Sequence, residues 1–312
     1  MSCPPLPAVT VVISTHNRRG ELLTTLQSLR DIGYPALQVV VVDNASEDGT
    51  TACLRESFPE VTVLPHSDNN PLRGYNMGFD TVQTPYALVL DDDSAPRKNS
   101  LERMVGLLEE TPAAGAVAAN IIGPDGRSEW GPDGDVEFST DWYNLIGCGF
   151  LVRTQILRQA EGYDEAFGLY YNDLDLAVRI LALGHGILYE SACVVDHRRA
   201  GPGRTPARKY YLMLRNFPLI IRGHFTGPRK ADLIAGHAVI ALVRSTRAGC
   251  LLSGLSGILA GLRVRSSRPF LAAGNGLAVR RFLQQYSLRH HVARLLGRGT
   301  ATPTGGTTEY KP

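Results

Sequence analysis

The chain has 312 residues, of which 44% are hydrophobic and 20% are charged, and its formal net charge is +2. This composition excludes a disordered or collagen-like protein, and the length allows a sizeable buried core. The five cysteines are scattered without a CxxC pair, which argues against a disulfide scaffold or a cysteine zinc site and fits a reducing compartment.

Charge is divided unevenly along the chain. Residues 1–197 hold 12 basic and 28 acidic residues, a net charge of −16, whereas residues 198–312 hold 20 basic and two acidic residues, a net charge of +18. An acidic region suits divalent cations, and a basic region suits phosphates or an anionic membrane surface. Neutralisation of one half by the other across an internal interface is the alternative explanation.

Short apolar runs alternate with helix-like stretches over the first 120 residues. The apolar runs predict buried strands, and leucines at helical spacing between Leu22 and Leu29 predict an intervening helix. Repeated strand–helix units favour a doubly wound, mainly parallel α/β sheet that is flanked by helices. The predicted strands span residues 9–14, 37–42, 61–64 and 86–90.

The second half of the chain is organised differently. Residues 123–142 are rich in Gly, Pro and Asp and predict a long surface loop, followed by a helix over 172–183 and a strand over 187–195. Beyond residue 199 only helices are expected. The apolar runs 233–243 and 248–262 are shorter than the roughly 18–20 residues of a membrane-spanning helix. Two alternatives remain for them, namely insertion into a membrane interface or packing on the α/β domain.

These patterns predict three regions. Residues 1–200 would form the α/β domain, residues 201–298 a basic and mostly helical region, and residues 299–312 a disordered tail rich in Gly, Thr and Pro. The first residues lack a charged start followed by an apolar run, so no signal peptide is expected. We therefore expect a cytoplasmic protein, and peripheral attachment at the inner face of the cell membrane is a second arrangement.

Acidic residues follow the predicted strand that ends at residue 90. Adjacent carboxylates repel each other, and a divalent cation would offset that repulsion. Asp91, Asp92 and Asp93 therefore indicate a site that Mg²⁺ or Mn²⁺ shares with phosphates. An acidic turn before the next helix is the alternative. His197 also follows a strand and could complete a carboxylate-rich metal site, although lone histidines are usually structural. Asp173 opens a helix, where it is either a capping residue or a general base.

Other motifs point less strongly to a reaction. Arg73 and Gly74 precede a predicted helix and could approach a phosphate. The chain has no GxxxxGK[ST] or GxGxxG motif, which argues against P-loop nucleoside triphosphatases and dinucleotide dehydrogenases. It has no GxSxG or HExxH motif either, so an α/β-hydrolase or a zinc protease is not expected.

Taken in order, the motifs resemble family 2 glycosyltransferases with the GT-A fold. The resemblance covers about 190 residues, and residues 210–216 (YYLMLRN) resemble the segment that follows the catalytic domain in rhamnosyltransferase-like and galactofuranosyltransferase-like members. The motifs that carry it are VVISTHNR (11–18), VVVVDNASEDGT (39–50), RGYNMG (73–78), DDD (91–93), GCGFLVR (147–153), GYDEAF (162–167), YNDLDL (171–176) and VDH (195–197).

The resemblance implies roles for individual residues. Asp173 would be the catalytic base, and Asn172 departs from the Glu that the family motif carries at that position. Asp91 and Asp93 would form the DxD pair that binds Mn²⁺ or Mg²⁺, with His197 as a further ligand. The nucleotide-sugar would contact Thr15, His16, Asn17, Arg18, Asp43, Arg73, Gly74, Asn76, Asp91 and Asp92, and the acceptor side would include Trp142, Gly149 and Asn172.

The implied activity is inverting, metal-dependent transfer of a sugar from a UDP- or dTDP-linked donor to an acceptor hydroxyl in bacterial cell-surface glycan or natural-product synthesis. The acceptor would be a lipid-linked glycan or a small-molecule aglycone. The basic region would contact a membrane or a second subunit, and no nucleic acid is expected because its arginines are mixed with Leu, Ala and Gly. A sugar-phosphate nucleotidyltransferase and a non-catalytic nucleotide-sugar-binding module are the alternatives.

Overall fold

The structure, a computed structural model, describes residues 5–130, 136–199, 205–274, 276–289 and 292. The predicted tail from residue 299 and the predicted domain boundary at residue 200 lie outside the described residues. In the described part, strands and helices are interspersed up to residue 197, and helices follow. The strands are β1 (Val9–Thr15), β2 (Leu37–Asn44), β3 (Thr62–His66), β4 (Tyr86–Asp91), β5 (Ser94–Pro96), β6 (Ala114–Ile122), β7 (Ser128–Trp130), β8 (Phe138–Trp142), β9 (Phe150–Arg153) and β10 (Gly186–His197).

The helices over residues 19–32 and 172–182 lie where the apolar periodicity predicts helices, and capping residues fix where helices begin. For example, Asn70 accepts a hydrogen bond from the Arg73 backbone N–H and Pro71 follows at the first helical position, so α3 begins there. The helices are α1 (Arg19–Ile32), α2 (Thr50–Ser57), α3 (Pro71–Thr81), α4 (Ser100–Glu110), α5 (Thr154–Gln159), α6 (Asn172–Ala182), α7 (Pro206–His224), α8 (Gly227–Arg247), α9 (Leu251–Arg263) and α10 (Leu277–Tyr286).

The strands form one sheet in the order β3-β2-β1-β4-β9-β6-β10-β5, with β7 added to β6 and β8 to β10. Strands β1 to β4 pair in parallel, as do β6 and β10. Strand β9 runs antiparallel between β4 and β6, so the sheet is mixed. The predicted α/β class with flanking helices and a C-terminal helical region is confirmed.

The prediction of a loop over residues 123–142 is wrong in part. Strand β7 pairs with the end of β6, and β8 pairs antiparallel with β10. Both strands are short, at three and five residues; β7 turns back on the adjacent strand β6, whereas β8 pairs with β10 far along the chain. Local composition therefore indicated a loop, although tertiary pairing makes strands.

Two hydrophobic clusters cover the two faces of the sheet. Alternate residues of one strand, such as Val12 and Ile13, belong to different clusters because strand side chains point to opposite faces. The cluster that contains Val12 also includes Met213, Phe217 and Phe282. The C-terminal helices therefore share a core with the sheet. Within the described residues, no helix has both the length and the hydropathy needed to cross a membrane.

Candidate active site

Strand register gathers the predicted residues at one rim of the sheet. Thr15 at the end of β1 is paired with Asp43 of β2, and Ser14 is paired with Asp91 of β4. His197 ends β10 opposite Ser94 of β5. Because β1, β2 and β4 are parallel, their carboxyl ends open on the same side, which is where ligands bind in such sheets.

A cavity of about 260 Å³ opens at this rim. Its polar lining combines Arg18 and the strand-end aspartates with the start of α6, and its walls combine tyrosine rings with aliphatic side chains. A space of this kind, apolar with a few converging polar groups, is typical of a small-molecule site. Six residues that the sequence singled out line it, namely Arg18, Asp91, Asp92, Asn172, Asp173 and His197, together with Tyr75, Tyr163, Tyr170, Tyr171 and Tyr286.

Arg18 joins two of the three consecutive aspartates. Its Nη1 lies 2.7 Å from Asp92 Oδ1 and its Nη2 lies 2.5 Å from Asp93 Oδ2. Burial raises the pKa of Asp92 to about 7, against the opposing effects of Arg18 and a hydrogen bond from Thr15. Burial also acts to raise the pKa of Asp93, but hydrogen bonds from His197 and Arg18 outweigh it and hold this pKa well below the ordinary value.

His197 lies between two carboxylates. Its Nε2 is 3.4 Å from Asp93 Oδ1, and its Nδ1 is 3.1 Å from Oε2 of Glu129 in β7. Burial lowers the pKa of His197, but these two carboxylates exceed that effect, so the pKa is raised. Glu129 is itself buried and also pairs with Arg199 Nε at 2.5 Å. The imidazole is therefore held in one orientation.

The donor set at this rim fits a divalent cation. Asp91, Cys148 and His197 each offer a ligand atom, and the three atoms lie within 4.8 Å of one another. Burial raises the pKa of Cys148 well above its usual value, so the sulfur carries its proton and is a poor ligand for a hard cation. Carboxylate and imidazole donors suit Mn²⁺ or Mg²⁺. Asp91 and His197, with Asp93 beside them, are the residues that would hold it.

Asp173, the proposed base, is oriented by its neighbours. The Tyr163 hydroxyl donates to Asp173 Oδ1 at 2.7 Å, and the Asn172 amide Nδ2 donates to the same oxygen at 3.0 Å. Burial, followed by the charge of Asp173, raises the pKa of Tyr163 well above its usual value, so this hydroxyl stays protonated. A Cβ on Gly147 would lie 3.0 Å from Asp173 Oδ1, so the backbone there also closes around the carboxylate.

The turn before α6 is fixed by the C-terminal region. Tyr170 and Tyr171 both have a left-handed backbone, with φ of 64° and 66°. Asn216 of α7 donates its amide to the carbonyl oxygens of Phe167, Leu169 and Tyr170 at 3.0, 2.7 and 2.9 Å. Helix α7 therefore holds the turn that delivers Asn172 and Asp173 to the cavity.

A second group of predicted residues stabilises loops beside the cavity instead of lining it. His16 Nδ1 is 2.7 Å from the Asn44 carbonyl oxygen, and Asn17 Oδ1 accepts the Glu47 backbone N–H at 2.7 Å. Asp43 Oδ1 accepts the Ser46 backbone N–H at 3.0 Å. These bonds connect the ends of β1 and β2. Of the residues in 15–18, Arg18 is the one that lines the cavity.

Other predicted residues lie farther from the opening. Arg73 is exposed and pairs with Asp68 and Glu165, and Asn76 binds the backbone of Tyr163. Gly74 packs so tightly that a Cβ would lie 2.4 Å from Asn44 Oδ1. The acceptor candidates Trp142 and Gly149 are in the core: the Trp142 ring packs on Tyr143 and Tyr189, and a Cβ on Gly149 would lie 2.7 Å from Ile121 Cδ1.

Four residues of this site were not assigned a role from the sequence. Tyr163 lies within the GYDEAF motif, which was a usable signal. Cys148 and Asn216 also lie within quoted motifs, GCGFLVR and YYLMLRN, whereas Glu129 reaches the site through a contact with His197 that spans 68 positions and that no local pattern shows.

Comparison with known proteins gives a consistent set of matches. The sequence model described as Glycosyl transferase family 2 matches residues 10–168. An N-acetylglucosaminyl-diphospho-decaprenol L-rhamnosyltransferase of Mycobacterium tuberculosis is 24% identical over 249 residues, covering 63% of this chain and 78% of that protein. A pre-mycofactocin glycosyltransferase of the same species is 28% identical over 284 residues, covering 82% of this chain and 57% of that protein.

A solved structure gives the same fold. A mannosyltransferase from Pyrobaculum calidifontis, in complex with GDP-Man and Mn²⁺, superposes with a TM-score of 0.60 at 18% identity. The match covers 94% of this chain and 88% of that one. The chain spans between half and about four fifths of the length of the first curated relatives that it matches.

Proposed function

Because the chain belongs to glycosyl transferase family 2, we propose that it transfers a sugar from a nucleoside-diphosphate sugar, UDP- or dTDP-linked, to a hydroxyl group of an acceptor. The observation that carries the proposal is one cavity lined by two separate sets of titratable side chains. Asp91, Asp92 and His197 lie at the strand ends, and Asp173 enters from α6. The first set suits a metal-bound diphosphate, and the second suits a general base.

The reaction would be a single displacement with inversion. The acceptor oxygen attacks the anomeric carbon on the face opposite the diphosphate, and Asp173 takes the proton that this oxygen loses. The new carbon–oxygen bond forms as the bond to the diphosphate breaks, and the nucleoside diphosphate leaves. Tyr163 and Asn172 keep the Asp173 carboxylate oriented for this transfer.

Charge on the departing diphosphate needs compensation. A divalent cation held by Asp91, Asp93 and His197 would supply positive charge to the diphosphate oxygens. Arg18 lines the same cavity and carries a guanidinium that suits phosphate oxygens. Occupation of the site would then compete with the Arg18 pairs to Asp92 and Asp93.

The acceptor proposal has two branches, a lipid-linked glycan or a small-molecule aglycone. The relative named as an N-acetylglucosaminyl-diphospho-decaprenol rhamnosyltransferase supports the first branch. The aromatic walls from Tyr163, Tyr170, Tyr171 and Tyr286 suit the apolar faces of sugar rings in either branch. A lipid-linked acceptor would place the protein at the inner face of the cell membrane, in contact through its basic C-terminal region.

The first experiment is a thermal-shift screen with UDP, dTDP and GDP, each with and without Mn²⁺. A nucleotide at about 100 times its Kd should stabilise the folded state by roughly 2.7 kcal/mol. We expect metal-dependent stabilisation, with loss of the metal dependence in Asp93→Ala. Turnover with the donor so identified should fall at least 1,000-fold in Asp173→Asn, while the thermal shift survives.

Asp80→Asn is the matched control, because Asp80 is exposed on α3 and lies outside the cavity. It should keep both turnover and the thermal shift. Turnover near the wild-type level in Asp173→Asn would show that another group is the base. Metal-dependent binding without any transfer in the wild-type chain would favour a nucleotide-sugar-binding module instead.

A further inference from the structure

Helix α9 has its small residues inside and its large apolar residues outside. Gly254, Gly257 and Gly261 are the buried residues of this helix. A Cβ on Gly257 would lie 2.3 Å from the Tyr211 carbonyl oxygen, and a Cβ on Gly261 would lie 2.7 Å from the Arg215 carbonyl oxygen. The helix is therefore fixed against α7 by its glycines, at backbone distance, and it cannot roll to bury its other side.

The opposite side of α9 carries leucines in contact with solvent. Leu252 is 81% exposed, Leu259 59% and Leu262 69%. At 100° per residue, the exposed leucines of α9 fall within an arc of about 100°. We call them the leucine face; its members are Leu251, Leu252, Leu255, Leu259 and Leu262. A continuous apolar stripe of this kind on a folded chain marks an interaction surface.

The charged residues that flank the leucine face in the sequence have one sign. Arg247 precedes α9, and Arg263 and Arg265 follow the last leucine; all three are exposed. Over residues 205–289, Asp232 is the only acidic residue. A partner that contacts both the leucines and the arginines must therefore have an apolar interior and a negatively charged surface. A bilayer with anionic headgroups has this arrangement.

We propose that the leucine face of α9 inserts into the headgroup and acyl boundary of an anionic membrane, with Arg247, Arg263 and Arg265 on the lipid phosphates. The helix lies in the plane of the bilayer, since its 13 residues are too few to cross it. Pairing with a second copy about a twofold axis is less favoured, because it would bring the same arginines together.

This surface is connected to the cavity through one helix. Helix α9 packs on α7 at Tyr211 and Arg215, and the next residue, Asn216, holds the turn that lines the cavity. Membrane attachment at α9 would keep the cavity close to the bilayer. The surface itself does not depend on the proposed reaction, and it is tested separately.

The test is flotation of the full chain with vesicles of phosphatidylglycerol and phosphatidylcholine, compared with phosphatidylcholine alone. The wild-type chain should float with anionic vesicles at low salt and less at high salt. The triple variant Leu252→Ser, Leu255→Ser, Leu259→Ser should bind at least tenfold more weakly. Because these side chains are exposed, the nucleotide thermal shift should survive, which separates this result from a loss of the active site.

Two further variants make the test decisive. Arg247→Gln, Arg263→Gln, Arg265→Gln together should remove the preference for anionic vesicles. Phe138→Ser replaces an exposed apolar residue of β8, away from α9, and should leave vesicle binding unchanged. Absence of wild-type flotation, or flotation unaffected by the leucine changes, would overturn the proposal. So would a wild-type dimer that does not float and that the leucine changes convert to a monomer, since a second copy would then cover the leucine face.

Discussion

A hydroxyl and an amide both donate to one oxygen of Asp173, and these two hydrogen bonds fix the orientation of the carboxylate that is proposed as the base. Tyr163 reaches it from the loop after α5, and Asn172 reaches it from the preceding position of α6. The Tyr163 ring is itself packed edge-on against Tyr75 at a centroid distance of 5.6 Å. The carboxylate is thus oriented by a side chain that has little freedom to move.

Tyr163→Phe should therefore lower turnover without abolishing it. The change removes one hydrogen bond, worth about 1 kcal/mol, so kcat should fall about fivefold while the Kd for the donor stays the same. Steady-state kinetics with a binding titration separates the two quantities. Tyr34→Phe is the control, because it also removes one hydrogen bond, to the Pro7 carbonyl oxygen, but far from the cavity. A Tyr163→Phe protein with unchanged kcat would contradict this orienting role.

The sequence predicted the strand-end residues of the site better than the residues that orient them. Asp91 to Asp93 and His197 end apolar strands, and the topology of a parallel sheet brings such ends together. Glu129 lies on a strand of three residues that forms only by pairing with β6. No periodicity exists over three residues, so its contact with His197 follows from the folded structure alone.

At the scale of elements, α6 is tied to α7 by a buried ionic group. Asp175 Oδ2 accepts from Arg179 Nε at 3.0 Å, and Asp175 Oδ1 lies 3.2 Å from His224 Nε2. The i,i+4 spacing of Asp175 and Arg179 can be read from the sequence, whereas the burial of the pair follows from the folded structure alone. His224 at the end of α7 and the burial of all three residues show that the group joins two helices.

Arg179→Met should be strongly destabilising. It leaves the Asp175 carboxylate buried with one partner fewer, at a cost of about 3 kcal/mol. Urea unfolding measures the loss, and the double variant Asp175→Asn, Arg179→Met should recover part of it because the buried charge is also removed. Arg103→Met, at a pair exposed on its arginine side, should cost less. Equal losses at positions 103 and 179 would refute the argument.

His237 of α8 makes the packing of the C-terminal helices sensitive to acid. Its ring is buried and stacks on Phe217 at a centroid distance of 4.0 Å. Burial lowers the pKa of His237 to about 3, and a hydrogen bond to the Met213 backbone offsets this only in part. The folded protein therefore resists protonation at a position that the unfolded chain protonates readily.

The sign of the effect follows from linkage. Between the unfolded pKa of about 6.5 and the folded pKa of about 3, the unfolded state binds the extra proton, so stability falls as the pH falls. The loss from this group is about 1 kcal/mol per pH unit within that window. Urea unfolding at pH 7, 6 and 5 should show this slope in the wild type and a shallower one in His237→Phe. Identical slopes would assign the acid sensitivity to other groups.

At the scale of the whole molecule, the charge division has two components. Some charge is neutralised internally: Arg268 pairs with Glu161 at 3.2 Å, and Arg281 pairs with Asp141 at 2.9 Å. Arginines at both ends of α9 are instead exposed beside leucines. The charge composition suggested both internal neutralisation and an external anionic partner. It could not assign individual arginines to either role, because the assignment depends on which side of each helix meets the sheet.

The contact between Asn216 and the turn at Tyr170 and Tyr171 limits how far the sheet and the C-terminal helices can change in sequence independently of each other. A left-handed backbone at non-glycine residues costs about 1–2 kcal/mol each, and here an amide from α7 supports it. The sheet and the C-terminal helices are therefore not interchangeable parts. A chimaera that joined this sheet to a foreign helical region would keep the turn only with an amide at position 216 or with glycine at positions 170 and 171, where a left-handed backbone carries no penalty.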